Sequence, residues 1–255
     1  MVKQLLQACG LMIALAGSAF AAQETYVVGS GGTYRPFEFE NSQKQLEGFD
    51  IDIIKAIAKA ENFNIKLINT PWEGIFATLG SGDRDIIISG ITITDKRKQM
   101  VDFSAPYFPA EQSIVVPADS TVTSLAGLKS EKVGVVNSST GDIVVSDVLG
   151  KNSTAIKRFD NTPLMLQELF EDGVSAAVGD VGVVKYYIKQ HPEKQFKLVA
   201  DAKFERQYFG IAVAKGNDAL LEKINSGLKK IVADGTYATI YKTWFDESVP
   251  TLPAQ

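Results

Sequence analysis

An arginine set between two lysines, Lys96-Arg97-Lys98, is the first group in this chain that could do chemistry. Its planar guanidinium can hold a carboxylate through two parallel hydrogen bonds, or it can be a solvated arginine in the first turn of a helix. Asp180 follows the apolar run Ala176 to Val178, where it can accept hydrogen bonds from a cation or cap a helical segment beginning near Val181. Gly90 and Thr92 stand just past another apolar run, at the carboxyl end of a strand, where open α/β sheets bind ligands. A plain strand-end turn would explain the glycine as well. Ser139-Thr140-Gly141 precedes a helical pattern whose free amides can bind an anion, and the same residues can serve as an ordinary helix cap. Trp72 follows Pro71 at a strand-to-helix boundary and can face either a cleft or the core.

Groups suited to covalent or acid–base chemistry are scarce. The sole histidine, His191, lies in the polar stretch Gln-His-Pro-Glu-Lys, which reads as a surface loop. No HExxH, GxSxG or phosphate-binding loop is present. Cys9 is the only cysteine and falls in the N-terminal apolar segment, so the chain behind it offers no disulfide, thiol nucleophile or thiolate metal site. No metal and no cofactor are expected.

The elements that must position these residues alternate. Tyr26 to Gly29, Ile65 to Ile68 and Asp85 to Ser89 read as strands, the last as a central strand of a parallel sheet. Asp50 to Ala60, with Ile53, Ile54, Ile57 and Ala58 at helical spacing, reads as a helix, and Trp72 to Leu79 as a shorter one. The pattern restarts near residue 113, with strands at Ser113 to Val116, Lys132 to Val136, Ala155 to Phe159 and Ser175 to Val178. Helices are expected at Gly141 to Leu149 and Pro163 to Phe170, then a strand over Tyr208 to Ala214 and helices at Leu220 to Ala233 and up to Trp244. Strand–helix alternation implies βαβ units, and two such units without a flexible linker imply lobes joined by crossing strands.

The N-terminus sets the compartment. Lys3, the apolar stretch Leu5 to Ala16 and the pair Ala19-x-Ala21 have the layout of a secretory signal peptide spanning residues 1–21, too short to anchor in a bilayer. Leu6-Gln7-Ala8-Cys9 is a poor match to a lipid-attachment box because most of the apolar segment follows the cysteine. The expected location is the periplasm, without a lipid anchor. The net charge of the 255-residue chain is −4, one unit more negative once Lys3 is removed, and no basic stripe is present. Nucleic acid is therefore not an expected partner.

Residues 90–104, Gly-Ile-Thr-Ile-Thr-Asp-Lys-Arg-Lys-Gln-Met-Val-Asp-Phe-Ser, resemble the signature of the polar amino-acid-binding family of bacterial extracellular solute-binding proteins. Further landmarks follow the family order: Tyr34-Arg35-Pro36-Phe37-Glu38-Phe39, Gly48-Phe49-Asp50-Ile51-Asp52, Ser139-Thr140-Gly141, Asp234-Gly235-Thr236-Tyr237 and Trp244-Phe245. The likeness covers essentially the whole chain after the leader. It implies the type II periplasmic binding protein fold, two α/β lobes joined by two hinge strands. On that model lobe one is about 24–107 plus 209–255, lobe two about 112–204, and the hinges about 107–112 and 204–209. It also implies a small-molecule amino acid as ligand, an ABC transporter membrane permease as partner, and a monomer that closes by hinge rotation. By the same resemblance Arg97 holds the ligand carboxylate, with Ser139 and Thr140 assisting from the other lobe. Asp180 takes the α-ammonium, Gly90 and Thr92 contact the polar head, and Tyr34 and Trp72 sandwich the aliphatic part.

The chain departs from the family where side chains are discriminated. Gly31 stands where glutamine- and basic-amino-acid-binding members carry an aspartate, and Asn137 and Gly179 replace a lysine and a histidine of the glutamine-binding members. Without that aspartate the expectation is a neutral polar L-amino acid, glutamine first. A basic ligand such as arginine or lysine is the alternative if Glu38, Asp142 or another acid substitutes. Cyclohexadienyl and arogenate dehydratases share the resembled fold, but every acid placed in the cleft already has a binding role, so no enzyme is expected. A sensor domain would share the cleft and is expected to be fused to a membrane segment and an output domain.

Overall fold

The computed structural model describes residues 23–253, so the leader reading of residues 1–21, Cys9 included, lies outside the described residues. Chain order runs through β1 (Thr25–Ser30), β2 (Thr33–Tyr34), β3 (Glu38–Glu40), β4 (Leu46–Glu47), α1 (Phe49–Ala60) and β5 (Asn64–Asn69). It continues with α2 (Ala77–Gly80), β6 (Ile86–Ile87), α3 (Asp95–Lys98), β7 (Val101–Phe103) and β8 (Phe108–Ala110). The second lobe brings β9 (Gln112–Pro117), β10 (Val133–Val136), α4 (Thr140–Leu149), β11 (Ile156–Phe159), α5 (Thr162–Phe170), β12 (Ala176–Asp180), α6 (Val181–Gln190) and β13 (Phe196–Val199). The chain then returns through β14 (Gln207–Phe209) to β15 (Ala212–Ala214), α7 (Asp218–Ala233) and α8 (Thr236–Trp244).

Two five-stranded mixed sheets organise these elements. In the first, ordered β5-β1-β6-β15-β7, β1 is parallel to β5 and β6, while β15 runs antiparallel to β6 and β7. In the second, ordered β11-β10-β12-β9-β13, β10 is parallel to β11 and β12, and β9 is antiparallel to β12 and β13. Between the sheets the two crossing strands pair with each other, β14 antiparallel to β8, with Phe209 opposite Phe108. The strand that completes the first sheet, β15, thus comes from the C-terminal segment, after the chain has built the second. A small sheet of β2, β3 and β4 places Tyr34 directly opposite Glu38.

Helix α1 shows why the local sequence takes this form. Ile53, Ile54 and Ile57 are fully buried, each worth about 1.5–3 kcal/mol relative to exposure. Asp50 and Asp52 sit in its first turn and Lys59 in its last, each favourable against the helix dipole. The preceding Gly48 has φ +132, and a side chain there would start 2.1 Å from the Phe37 carbonyl oxygen, so only glycine fits. Around the hinge, Phe37 packs edge-on to Phe108 (4.8 Å) and Phe209 (5.3 Å), and Phe245 lies 5.1 Å from Phe108. This aromatic cluster ties the Tyr34–Glu38 hairpin, both hinge strands and the C-terminal segment into one packed unit.

Two stretches differ from the sequence expectation. The run Tyr208 to Ala214 is two strands, because the chain leaves the hinge pair at Gly210, whose amide bonds the Ile91 carbonyl, before joining the first sheet. Of the expected 72–79 helix only the part from Ala77 is helical, as α2: Gly74 has φ +77, and Trp72 to Phe76 form turns that leave Trp72 partly buried, packed at the edge of the core. The apolar run at Ile86–Ile87 is buried on both faces as expected, with a parallel neighbour on one edge and an antiparallel one on the other.

Candidate functional site

A cavity of about 350 Å³ lies between the carboxyl ends of the two sheets. From the first lobe it is lined by Tyr34 and Glu38 of the hairpin, Trp72 after β5, Ser89, Gly90 and Thr92 after β6, and Arg97 of α3. From the second it is lined by Gln112 at the start of β9, Ser139 and Thr140 at the start of α4, Asn161 and Thr162 at the start of α5, and Gly179 and Asp180 at the end of β12. Its size is in the range of small-solute sites.

Arg97 is built into the wall by its own motif. Thr94 caps α3, its hydroxyl accepting from the Arg97 amide at 3.2 Å, and this cap turns the guanidinium inward. Arg97 is 6 % exposed, whereas Lys96 and Lys98 are exposed, so the solvated-helix alternative applies to the lysines and not to the arginine. Its Nη1 donates to the Thr92 carbonyl (2.9 Å) and its Nη2 to the Ser138 carbonyl of the opposite lobe (3.4 Å). Both acceptors are neutral. Trp72 and Phe76 present their rings to the guanidinium at 5.1 and 5.6 Å. Burial lowers its pKa to about 10, with Asp180 and Tyr34 pulling the other way, so it stays a cation at neutral pH.

Asp180 occupies the N-cap position of α6 but makes no side-chain cap bond. Its carboxylate turns into the cavity instead, accepting from the Tyr34 hydroxyl across the cleft and from Gln112 Nε2 (2.7 Å). Burial raises its pKa to about 6, against the opposing influence of Tyr34, Arg97 and Gln112. Tyr34 is itself pushed well up, by burial first and by Asp180 second.

Gly90 has φ +51, and a Cβ there would lie 2.6 Å from Tyr34 Cε1, so the bare backbone is what lets the Tyr34 ring lie over this turn. The Gly90 amide donates to Asp50 Oδ2 at 2.7 Å, which fixes the turn against α1. Thr92 is buried and bridges to Phe209 of the hinge. In the second lobe Ser139 caps α4 by accepting from the Asp142 amide (3.1 Å). Asp142 accepts in turn from the Ser138 amide and Ser146 Oγ (3.0 Å each) and pairs with Arg158 at 2.9 Å. That carboxylate is committed to the wall and is not among the lining groups.

All eight residues expected to contact a ligand therefore line one cavity, as do Gly31, Glu38 and Gly179. Asn137 does not; its backbone carbonyl accepts from Trp72 Nε1 at 3.0 Å, a contact that spans the cleft. His191 lies at the far end of α6, paired with Glu193 at 3.1 Å, and does not line the cavity. Ser89, Gln112 and the Asn161-Thr162 helix start were not anticipated. Asn161 followed by Thr162-Pro163 is a helix-start signal that could have marked the last of these, since its side chain accepts from the Leu164 amide. Among the described residues no group of three His, Cys, Asp or Glu is placed to hold a metal ion.

Glu38 changes the electrostatic picture. It is 1 % exposed, its Oε1 accepts from Ser89 Oγ at 2.7 Å, and that hydroxyl accepts from the Gly31 amide at 3.0 Å. A side chain begun at Gly31 would start 3.6 Å from the same Glu38 oxygen. The carboxyl thus stands beside the position left bare by Gly31. Burial, and then the charge of Asp50, hold it well above the usual carboxylate range.

Comparison with known proteins places this architecture. The model of the bacterial extracellular solute-binding proteins, family 3, matches residues 26–247. A protein named probable histidine-binding protein from Neisseria gonorrhoeae is 42% identical over 223 residues, 87% of this chain and 83% of its own. Among solved structures, the arginine-, lysine-, histidine-binding protein ArtJ from Geobacillus stearothermophilus superposes with a TM-score of 0.84. It is 37% identical, covering 89% of this chain and 97% of its own. An ancestral arginine-binding protein bound to glutamine gives a TM-score of 0.81 at 43% identity, over 88% of this chain and 99% of its own.

Proposed function

We propose that this chain, which belongs to the bacterial extracellular solute-binding proteins, family 3, captures an L-amino acid with a cationic side chain, arginine first, for import by an ABC transporter. The family and the amino-acid-binding role are common ground with its relatives; the choice of ligand is the new element. Glu38 carries it. The expectation of glutamine rested on the missing carboxylate at Gly31, and the Glu38 carboxyl beside that position supplies an acid from the neighbouring hairpin. A buried cationic head requires such a partner.

In this reading Arg97 and the amides at the start of α4 take the α-carboxylate, and Asp180 takes the α-ammonium. Tyr34 and Trp72 flank the aliphatic part, Gly90 and Thr92 order the head group, and Glu38 receives the side-chain cation. Because Arg97 and Asp180 come from opposite lobes, a zwitterion stabilises the closed form through contacts that an open form lacks. We keep the lobe boundaries read from the sequence, which the pairing of β8 with β14 supports. We also keep periplasmic location, a monomeric state and the absence of catalysis.

Glutamine is the second reading. One relative is an arginine-binding protein with glutamine bound, and a protonated Glu38 could donate to an amide oxygen. A thermal-shift series with arginine, lysine, histidine, glutamine and cystine at one concentration separates the two, since a ligand that binds the folded state more tightly raises the melting temperature more, with the logarithm of its affinity. The largest shift should come from arginine. A larger shift from glutamine, with none from the basic amino acids, would overturn the cationic assignment.

A further inference from the structure

Behind the Glu38 carboxyl, on the first turn of α1, lies Asp50, which no contact described so far gives a part in ligand binding. It is fully buried, and one of its oxygens, Oδ2, is well satisfied by the Gly90 amide (2.7 Å) and the Tyr107 hydroxyl (2.9 Å). The other oxygen, Oδ1, is buried without a hydrogen-bond partner, and so is Glu38 Oε2. The two buried carboxyls are close enough for the charge of Asp50 to bear on Glu38 and add to the rise that burial causes. Two ionised carboxylates have only acceptors to offer each other. Leaving both charged and facing in a dry wall would cost far more than sharing a proton. A proton held between the two carboxyls would give these orphaned oxygens the donor that neither has.

We propose that Glu38 and Asp50 hold a single shared proton in the ligand-free protein, and that a cationic side chain entering beside Glu38 expels it to solvent. The inference rests on the reading of Glu38 as the side-chain partner. The step balances: a pair with one proton and one negative charge, plus a cation, becomes a doubly ionised pair, the bound cation and a free proton. A neutral amide leaves the proton in place and can use it as a donor. Asp50 is then a positioning residue for specificity, because it decides which protonation state Glu38 shows to the ligand.

The surroundings are consistent with this assignment. Burial raises Glu38 well above the carboxylate range and Asp50 to about 6, with Gly90, Tyr107 and Glu38 favouring ionised Asp50. The other groups bearing on the pair are Tyr34 on β2, Tyr107 before β8, Asp180 at the end of β12, Tyr187 on α6 and Tyr237 on α8. The tyrosines are all shifted upward and remain neutral at neutral pH. Asp180, at about 6, adds a smaller proton exchange of its own, so the informative quantity is the difference between wild type and a Glu38 variant. Arg97 shares the cavity and stays charged throughout.

Two substitutions test the pair. In Asp50→Asn the amide oxygen can keep both the Gly90 and Tyr107 bonds, while Nδ2 replaces Oδ1 and donates to Glu38 Oε2, holding it ionised. Glu38→Gln removes the titrating group outright and serves if the Asn variant does not fold. Infrared spectra of the ligand-free protein at neutral pH should show the C=O stretch of a protonated carboxylic acid in wild type, absent from both variants. Calorimetric titration with arginine in buffers of differing ionisation enthalpy should show release approaching one proton per ligand in wild type. Asp50→Asn should still bind arginine with that release abolished, and glutamine should release from wild type only the small fraction that Asp180 contributes. Absence of the acid band, or its persistence in Glu38→Gln, would overturn the shared proton. Arginine heats that do not depend on the buffer would overturn its expulsion. Failure of arginine to bind at all would overturn the reading of the solute and the expulsion with it, and the infrared band would still decide the shared proton.

Discussion

Replacing Asp180 with asparagine removes one charge from the cleft and almost nothing else. The Asn oxygen can still accept from the Tyr34 hydroxyl. On the other side, Asn Nδ2 would meet Gln112 Nε2, donor against donor, but Gln112 Oε1 is buried without a partner, so turning the Gln112 amide over restores a donor–acceptor pair. The fold should therefore tolerate the change, and the ligand-free melting temperature should fall little or rise, because a buried carboxylate has been neutralised. Binding should suffer heavily. An ammonium that meets a neutral amide in place of a carboxylate loses about 2–5 kcal/mol, the range for breaking a desolvated charge pair. At about 1.4 kcal/mol per tenfold, the dissociation constant should rise from roughly thirtyfold to several thousandfold. Isothermal titration with arginine on both proteins measures this, and wild-type affinity should itself weaken as pH falls through about 6, where Asp180 protonates. A variant that folds normally and binds within about threefold of wild type would refute the placement of the ammonium on Asp180.

Three further outcomes follow from particular contacts. Trp72→Phe deletes the bond to the Asn137 carbonyl across the cleft; at about 0.5–1.5 kcal/mol for a neutral hydrogen bond, titration should show affinity lower by a few-fold to about tenfold. Gly90→Ala forces a Cβ into the Tyr34 ring at φ +51, so chemical denaturation should show a loss of at least about 1–2 kcal/mol, with weaker binding besides. Burial raises Glu38, Asp50 and Asp180 above their unfolded values, so the folded state binds more protons than the unfolded chain from about pH 4 up to about 6 for Asp50 and Asp180, and beyond it for Glu38. Their contribution to stability is fully present below the unfolded carboxylate range and is lost as pH rises through the folded values. Melting of the ligand-free protein should accordingly be higher near pH 5 than at neutral pH, with a flatter profile in Glu38→Gln.

What could be read from the sequence, and what could not, divides by the range of the interaction. The 90–104 run was legible through its likeness to a family signature, and the devices that the structure shows behind it are local: a strand end at Gly90, a cap at Thr94 reaching three residues to the Arg97 amide, and an alternation that exposes Lys96 and Lys98 while burying Arg97. Asp180 was legible as a choice between cap and ligand, and the choice fell to a contact 146 residues distant, the Tyr34 hydroxyl. Glu38 was harder, because its nearness to Gly31 depends on the β2–β3 hairpin and on Ser89, which follows β6. Asp50 reads in isolation as a first-turn acid favourable to the helix dipole, and only the packing of Gly90 and Tyr107 over it makes it a buried group. Gln112 carries no local signal at all, since the pairing of β9 with β12 is what brings it to Asp180. Likewise, the split of 208–214 into two strands follows from the hinge crossing and not from its apolar pattern.

The central claim is that one cavity reads three charges of a single ligand: a carboxylate at Arg97, an ammonium at Asp180 and a side-chain cation at Glu38. A crystal structure of the protein grown with L-arginine tests it directly. The account predicts the α-carboxylate on the Arg97 guanidinium, the α-ammonium on Asp180 and the ligand guanidinium reaching the Glu38 carboxyl, with Trp72 and Tyr34 along the aliphatic stem. Arginine bound outside this cavity, or inside it with its guanidinium turned away from Glu38, would contradict it.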